Sequence, residues 1–184
     1  MNAVSPTARV AVWDPLVRLT HWTVALLVLG NFLNEDGETW HRYAGYTVVA
    51  LVLIRLVWGW VGPGHARLWT ELPTPQRITA YVSALWQGKA PRYLGHNPLG
   101  MLMMLALWSV LLGLGLTGWL MGTDMFWGEE WVEEIHEALA NSLMVLVPLH
   151  VLAAIMASLH ERDNLIAAMV HGKKSVSNDH VAAP

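Results

Sequence analysis

EIHEALANSLMVLVPLHVLAAIMASL, residues 134–159, is the stretch that decides the fold. A helix crosses the hydrocarbon core of a bilayer with about 20 predominantly apolar residues at 1.5 Å each, and this stretch exceeds that length. It nevertheless carries His136 near one end and His150 deep among leucines and valines. An imidazole in hydrocarbon is costly, so an intramembrane histidine marks a functional group whose partner has to be found. Fourteen residues separate the two, roughly 21 Å along a helix axis and within about 40° of the same face. One helix can therefore present two ligands, one above the other.

Three further segments meet the same length test. They run from about Leu16 to Leu33, with Asp14-Pro15 as start signal, from His41 to Val61, ended by Gly62-Pro63-Gly64, and from Pro98 to Met121. The mixed-polarity region Pro63–Asn97 separates the second from the third. Within it Thr74-Pro75 opens a shorter helix, Gln76–Trp86, expected to lie on the membrane surface. The expectation is an all-α fold, an integral membrane four-helix bundle with a short cytoplasmic surface helix between helices 2 and 3. It occupies residues 1–172 as one domain, followed by a flexible cytoplasmic tail, residues 173–184.

Composition agrees with a membrane class. The 184 residues are 54% hydrophobic and 14% charged, with a mean hydropathy of +0.38, against about 25% charged residues in average soluble domains. The absence of cysteine excludes disulfides, iron–sulfur clusters, thiolate zinc sites and covalent haem attachment. Met1 to Val12 lacks the basic start and apolar core of a cleavable signal peptide. The nine methionines fall mostly in apolar runs, as core filler does.

Charge orients the bundle. The Glu35–Arg42 loop and the Asp124–Glu137 segment hold nine of the fourteen acids (Glu35, Asp36, Glu38, Asp124, Glu129, Glu130, Glu133, Glu134 and Glu137) but one of the eleven bases, Arg42. The other ten bases, Arg55 and Lys174 among them, fall on the opposite side. Lys/Arg asymmetry of this size places both termini and the Pro63–Asn97 loop in the cytoplasm. Trp13, Trp40, Trp58, Trp60, Trp127 and Trp131 cluster near helix ends, as an interfacial aromatic belt would.

With that topology the histidines sort by depth. His41 and His136 lie toward the outer side, His21 and His150 toward the cytoplasm. Two imidazoles on opposite faces of a porphyrin iron give a six-coordinate centre that passes electrons without binding substrate at the metal. Two noncovalent haem b groups, one per pair, are the expected cofactors. A histidine near a helix end also commonly satisfies a backbone carbonyl, which by itself would account for His41 or His136. Two depth-matched pairs favour the haem reading.

The resemblance to a known family rests on motifs in order. Val12-Trp13-Asp14-Pro15 with Leu19-Thr20-His21-Trp22 resembles the opening of the bacterial cytochrome b561 family, which includes the cytochrome b subunits of nickel–iron hydrogenases. Trp40-His41-Arg42-Tyr43-Ala44-Gly45-Tyr46 and Arg55-Leu56-Val57-Trp58-Gly59 resemble its second helix. Pro91-Arg92-Tyr93-Leu94-Gly95-His96-Asn97-Pro98 is similar to its entry to the third, and His136-Glu137-Ala138-Leu139-Ala140-Asn141 with His150 to its fourth. The resemblance implies bis-histidine ligation of two b haems from the first, second and fourth helices. It also implies electron exchange between a quinone pool and a partner protein or soluble redox molecule, as in a respiratory chain.

His96 is an alternative inner ligand, but its place at the very start of the third helix suits a haem propionate or quinone contact better. Asn97 can donate to a quinone carbonyl or simply cap the helix ahead of Pro98, and Arg92 can pair with a propionate. Gly45, Gly113, Gly115 and Gly118 either admit a porphyrin or allow close helix packing. The expected partners are membrane lipids, a quinone, and a periplasmic cationic electron carrier or redox subunit. No zinc motif, phosphate loop or nucleotide fingerprint occurs, and nothing suggests nucleic acid. The alternatives are superoxide:quinone oxidoreductase activity, or a membrane anchor without a redox role. An acidic outer face disfavours an anionic reductant.

Overall fold

The structure, a computed structural model, describes residues 8–34, 39–68 and 72–176. The outer acids Glu35, Asp36 and Glu38 lie outside the described residues, as do Met1–Thr7 and residues 177–184 of the expected tail. In chain order the elements are strand β1 (Ala8–Ala11), helices α1 (Pro15–Phe32) and α2 (Thr39–Val61), a 3₁₀ turn (Gly64–Ala66), and helices α3 (Pro75–Trp86), α4 (Pro98–Leu120), α5 (Glu130–Glu161) and α6 (Leu165–His171), then strand β2 (Lys173–Val176).

The expected helices are present, with ends set by caps. Asp14 Oδ1 accepts from Val17 N (3.0 Å) ahead of Pro15, Thr74 Oγ1 from Arg77 N (3.2 Å) ahead of Pro75, and Asn97 Oδ1 from Gly100 N (2.8 Å) ahead of Pro98. Each side-chain oxygen satisfies an amide that the first helical turn leaves without an intrahelical acceptor, while Pro supplies a fixed φ where no N–H is needed. Helices α2, α4 and α5 are long and apolar enough to span a membrane, with mean hydropathies of 1.7, 2.2 and 2.2 over their most apolar stretches. Helix α1 has 18 residues and includes Arg18, Thr20, His21 and Asn31; it falls outside that set. The chain is an integral membrane protein of the helical class.

Four points add to or depart from the expectations. The all-α class holds, with one short ribbon added: β1 and β2 pair antiparallel, with Ala8 opposite Val176 and Ala11 opposite Lys173. At the start of the expected tail Lys173–Val176 is a strand, and α6 precedes it. Gly172 makes the junction. It ends α6 in the left-handed region (φ 83°), and its carbonyl accepts from Val12 N and Trp13 N (2.8 and 3.1 Å). A β-carbon there would stand 2.6 Å from the Trp13 carbonyl oxygen, so only glycine fits. Trp13 is buried rather than interfacial, and Arg55 is buried within α2 rather than at a charged rim.

The described residues form two compact units whose boundaries fall within helices. The first comprises residues 19–58 and 103–151. Its core is Val28 of α1, Val48 and Val52 of α2, Leu111 of α4 and Leu143 of α5, with Leu27, Leu107 and Val147 packed around them. In a bilayer, helices associate through close packing rather than water exclusion. Gly115 fits against Val49, whose side chain already fills the place of a β-carbon, and Gly113 abuts Leu139. Leu26, Val57 and Val145 remain exposed, as lipid-facing side chains do.

The second unit comprises residues 1–18, 59–102 and 152–184, and carries the ribbon, α3 and α6. Polar contacts organise it. Arg92 pairs with Asp163 (2.6 Å) and with Glu161 (3.6 Å). Lys174 lies 3.9 Å from Glu161 and donates to the Tyr93 carbonyl (3.2 Å), while Ser175 N donates to Asp163 (2.9 Å).

Candidate functional site: two facing imidazole pairs

The first unit brings the four expected histidines together two by two. His41, in the first turn of α2, faces His136 of α5, with ring centroids 6.3 Å apart and planes at 56°. His21 of α1 faces His150 of α5 at 6.2 Å and 51°. A metal–imidazole bond is about 2 Å long; one on each side, plus the depth of each ring, sums to about 6 Å between centroids. Both pairs stand at that distance. Among the described residues no group of three or more His, Asp or Glu side chains could hold a metal ion. Two opposed imidazoles alone fit a centre whose other ligands come from a planar macrocycle, and haem b meets that requirement.

Hydrogen bonds fix the ring states of the first pair. The Asn34 carbonyl lies 2.9 Å from His41 Nδ1. A carbonyl only accepts, so Nδ1 carries the proton and Nε2 is left with its lone pair. Asn31 Nδ2 donates to the His41 carbonyl (3.1 Å), tying the end of α1 to the start of α2. Thr117 Oγ1 lies 2.8 Å from His136 Nδ1. The single hydroxyl proton of Thr117 goes back to the Gly113 carbonyl (2.9 Å), the usual bond of a threonine inside a helix. Toward His136 that oxygen accepts, so this ring too is protonated at Nδ1 and bare at Nε2. Gly118 lies directly beside it: a β-carbon would stand 3.4 Å from His136 Cε1.

The second pair is held differently. Trp22 stands edge-on to His21, with ring centroids 5.2 Å apart. His21 Nδ1 is buried and has no hydrogen-bond partner among the described residues. Pro148, two residues before His150, removes one N–H from the α5 ladder.

The glycines separate by role. Gly113 and Gly115 are filled by Leu139 and Val49, which is helix packing. Gly45, one turn beyond His41, has nothing among the described residues within 4 Å of where its β-carbon would be. Open space therefore lies beside the His41 level.

The remaining candidates belong to the second unit. His96 stacks at a tilt against buried Trp13, with centroids 4.8 Å apart, and enters neither pair. Asn97 uses Oδ1 for the α4 cap, leaving its Nδ2 as the group able to donate. Arg92 is engaged by Asp163 and Glu161, so a propionate or quinone has to compete with two carboxylates for it. Tyr81 packs on Tyr93; burial, then the Glu161 carboxylate and Tyr93, raise its phenol above the ordinary value of 10.0.

Sequence reasoning missed Thr117, Asn31 and Asn34, which act on the histidines, and the place of Arg55, whose guanidinium lies 5.7 Å from the Trp108 ring centre. A polar residue inside an apolar span was the available signal for Thr117 and Arg55.

Comparison with known proteins gives the family of the chain. The family model described as prokaryotic cytochrome b561 matches residues 12–172. Proteins named probable Ni/Fe-hydrogenase B-type cytochrome subunit are similar along nearly their whole length. That of Azotobacter chroococcum mcd 1 is 29% identical, covering 92% of this chain and 90% of the relative. That of Azotobacter vinelandii is 26% identical with the same coverage, and that of Cupriavidus necator 26% identical, covering 89% and 86%. From residue 12 to residue 172, across both histidine pairs, the chain belongs to the prokaryotic cytochrome b561 family.

Proposed function

We propose that this protein carries electrons across the bacterial inner membrane through two b-type haems, between a periplasmic redox partner and the membrane quinone pool. The observation that carries the reading is the pair of imidazole–imidazole separations, 6.3 and 6.2 Å, within one helical unit of a cytochrome b561 family member. His41 and His136 hold one haem, His21 and His150 the other. Bound there, haem supplies a one-electron iron couple with no coordination position left open to substrate. Asn34 and Thr117 keep His41 and His136 in the tautomer that offers Nε2.

Helices α1, α2, α4 and α5 are the four spans of this reading, with α3 on the cytoplasmic surface and both termini in the cytoplasm. Exposed Trp86 at the end of α3, at 87%, suits an interfacial helix. On the periplasmic side Asp124, Glu129, Glu130, Glu133, Glu134 and Glu137 are all exposed, with Trp127 and Trp131 exposed among them. Acids around aromatic anchors suit a cationic partner. Because the relatives are named as hydrogenase cytochrome subunits, a redox subunit of that kind is the favoured partner. The same acids repel superoxide and weigh against the superoxide-oxidase reading. On the cytoplasmic side His96, Asn97 Nδ2 and the ring of Trp13 offer donors beside an apolar wall, the composition of a quinone site.

The deciding measurement is haem content. A pyridine haemochrome assay should give two noncovalent haems per chain, and His136→Ala should remove one while leaving the other low-spin. One haem or none in the wild type overturns the proposal and leaves the anchor reading.

A further inference from the structure

We infer that Thr117, together with the Asn34 carbonyl, makes the His41–His136 site the lower-potential of the two irons. The inference rests on the haem assignment just proposed and goes beyond it, because it ranks the two sites and gives one side chain that ranking. Thr117 is a positioning residue: it touches His136, not the iron.

The asymmetry lies at Nδ1 of three rings, those of His41, His136 and His21. In the His41–His136 pair both Nδ1 atoms face an oxygen acceptor, the Asn34 carbonyl at 2.9 Å and Thr117 Oγ1 at 2.8 Å. In the other pair, His21 Nδ1 is buried with no hydrogen-bond partner among the described residues. Donating Nδ1–H to an oxygen moves electron density into the ring and raises the basicity of Nε2. A more basic axial nitrogen favours ferric over ferrous iron, which lowers the reduction potential; outer hydrogen bonding is one of the levers by which a protein tunes haem. A ring whose buried Nδ1 lacks an acceptor is the weaker donor, and its iron is the more easily reduced.

Fixed charge acts in the same direction. Glu133, Glu134 and Glu137 flank His136 on the exposed first turns of α5, and negative charge also favours the ferric state; Arg42, next to His41, offsets part of it. In the unit that holds both pairs, Arg55 is a cation buried to 5% exposure, fourteen residues beyond His41 on α2 and hence toward the level of the other pair. The carboxylates are screened by salt; the hydrogen bond of Thr117, itself 7% exposed, is not.

Redox potentiometry of the haem-loaded full chain in nanodiscs tests this, with components followed by their optical and low-spin ferric EPR signals. His136→Ala and His21→Ala, each retaining one haem, assign the components. The component that survives in His21→Ala should be the lower-potential one. Thr117→Val should then raise that component by about 59 mV, a tenfold change for a one-electron couple, and shift its EPR signal, while the other component stays. Thr117→Ser, which keeps the hydroxyl, should restore the native value. The proposal is overturned if the lower potential belongs to the His21–His150 site, or if Thr117→Val leaves its component where it was. Should Thr117→Val fail to retain haem, the wild-type ordering and the Thr117→Ser value decide. Fewer than two haems in the wild type would instead overturn the assignment on which the ranking rests.

Discussion

The unit of residues 19–58 and 103–151 and the unit of residues 1–18, 59–102 and 152–184 both bury polar side chains, but satisfy them by different means. In the first, four imidazoles face each other across gaps of 6.2 and 6.3 Å, and Arg55 lies over the face of Trp108. These groups are held apart from one another, in positions where a third component can join them. In the second, Arg92, Lys174, Glu161 and Asp163 neutralise each other directly, with Glu161 and Lys174 side chains 6% and 4% exposed. A buried charge costs several kcal/mol unless it is paired, and the second unit sets its buried charges against opposite ones within itself, Arg92 and Lys174 against Glu161 and Asp163. Polar groups are structural glue in one and, in the proposed reading, haem ligands in the other.

The largest expected break in this comparison comes from Glu161→Ala. It leaves Lys174 without its carboxylate and Arg92 with Asp163 alone, at a cost of about 3 kcal/mol. Hydrogen exchange should quicken at Val12, Trp13 and residues 173–176 while haem content holds. An equal loss of protection in the middle of α2 and α5 would mean the two units do not answer to separate forces. Gly115→Ala probes the packed unit: its β-carbon collides with Val49, and overpacking of this kind costs about 1–3 kcal/mol. Thermal unfolding in detergent should show the loss, and adding Val49→Ala should restore most of it. A double variant no better than the single would remove the packing explanation.

The smallest effect concerns Tyr81. Its phenol is raised in the folded protein by burial and by Glu161, so the unfolded chain ionises first. Stability from this group is present below about pH 10 and declines as the pH rises through that value toward the folded one. Tyr81→Phe should flatten that alkaline decline in a pH series of unfolding curves. An unchanged slope would show that Tyr81 does not feel the carboxylate cluster.

What could be read from the chain and what could not divides on range. Apolar length announces α2, α4 and α5, and capping residues announce the starts of α1, α3 and α4, because both signals are local. The facing of His41 with His136 and of His21 with His150 was legible from depth and helix periodicity. Helix α5 begins at Glu130, four residues before the hydropathy suggested, because Val132 is fully buried although acids surround it. The ribbon was illegible: Ala8–Ala11 and Lys173–Val176 are four residues each, and Lys173-Lys174-Ser175 reads as a solvated tail until a strand from the other end of the chain lies against it. Arg55 was counted with the rim because charge, not burial, is what a sequence displays. Thr117 acts on a ring nineteen residues away, on a different helix, and no spacing rule links the two.

That ribbon has a consequence for how the protein is made. Its first strand leaves the ribosome before any of the spanning helices, and its partner strand is among the last described residues to follow. Contacts so distant along the chain are slow to form, so Val12 and Trp13 must wait for Gly172 before their amides find an acceptor. Closing the ribbon is thus a late event in assembly, an inspection that only a chain carrying all its membrane segments can pass.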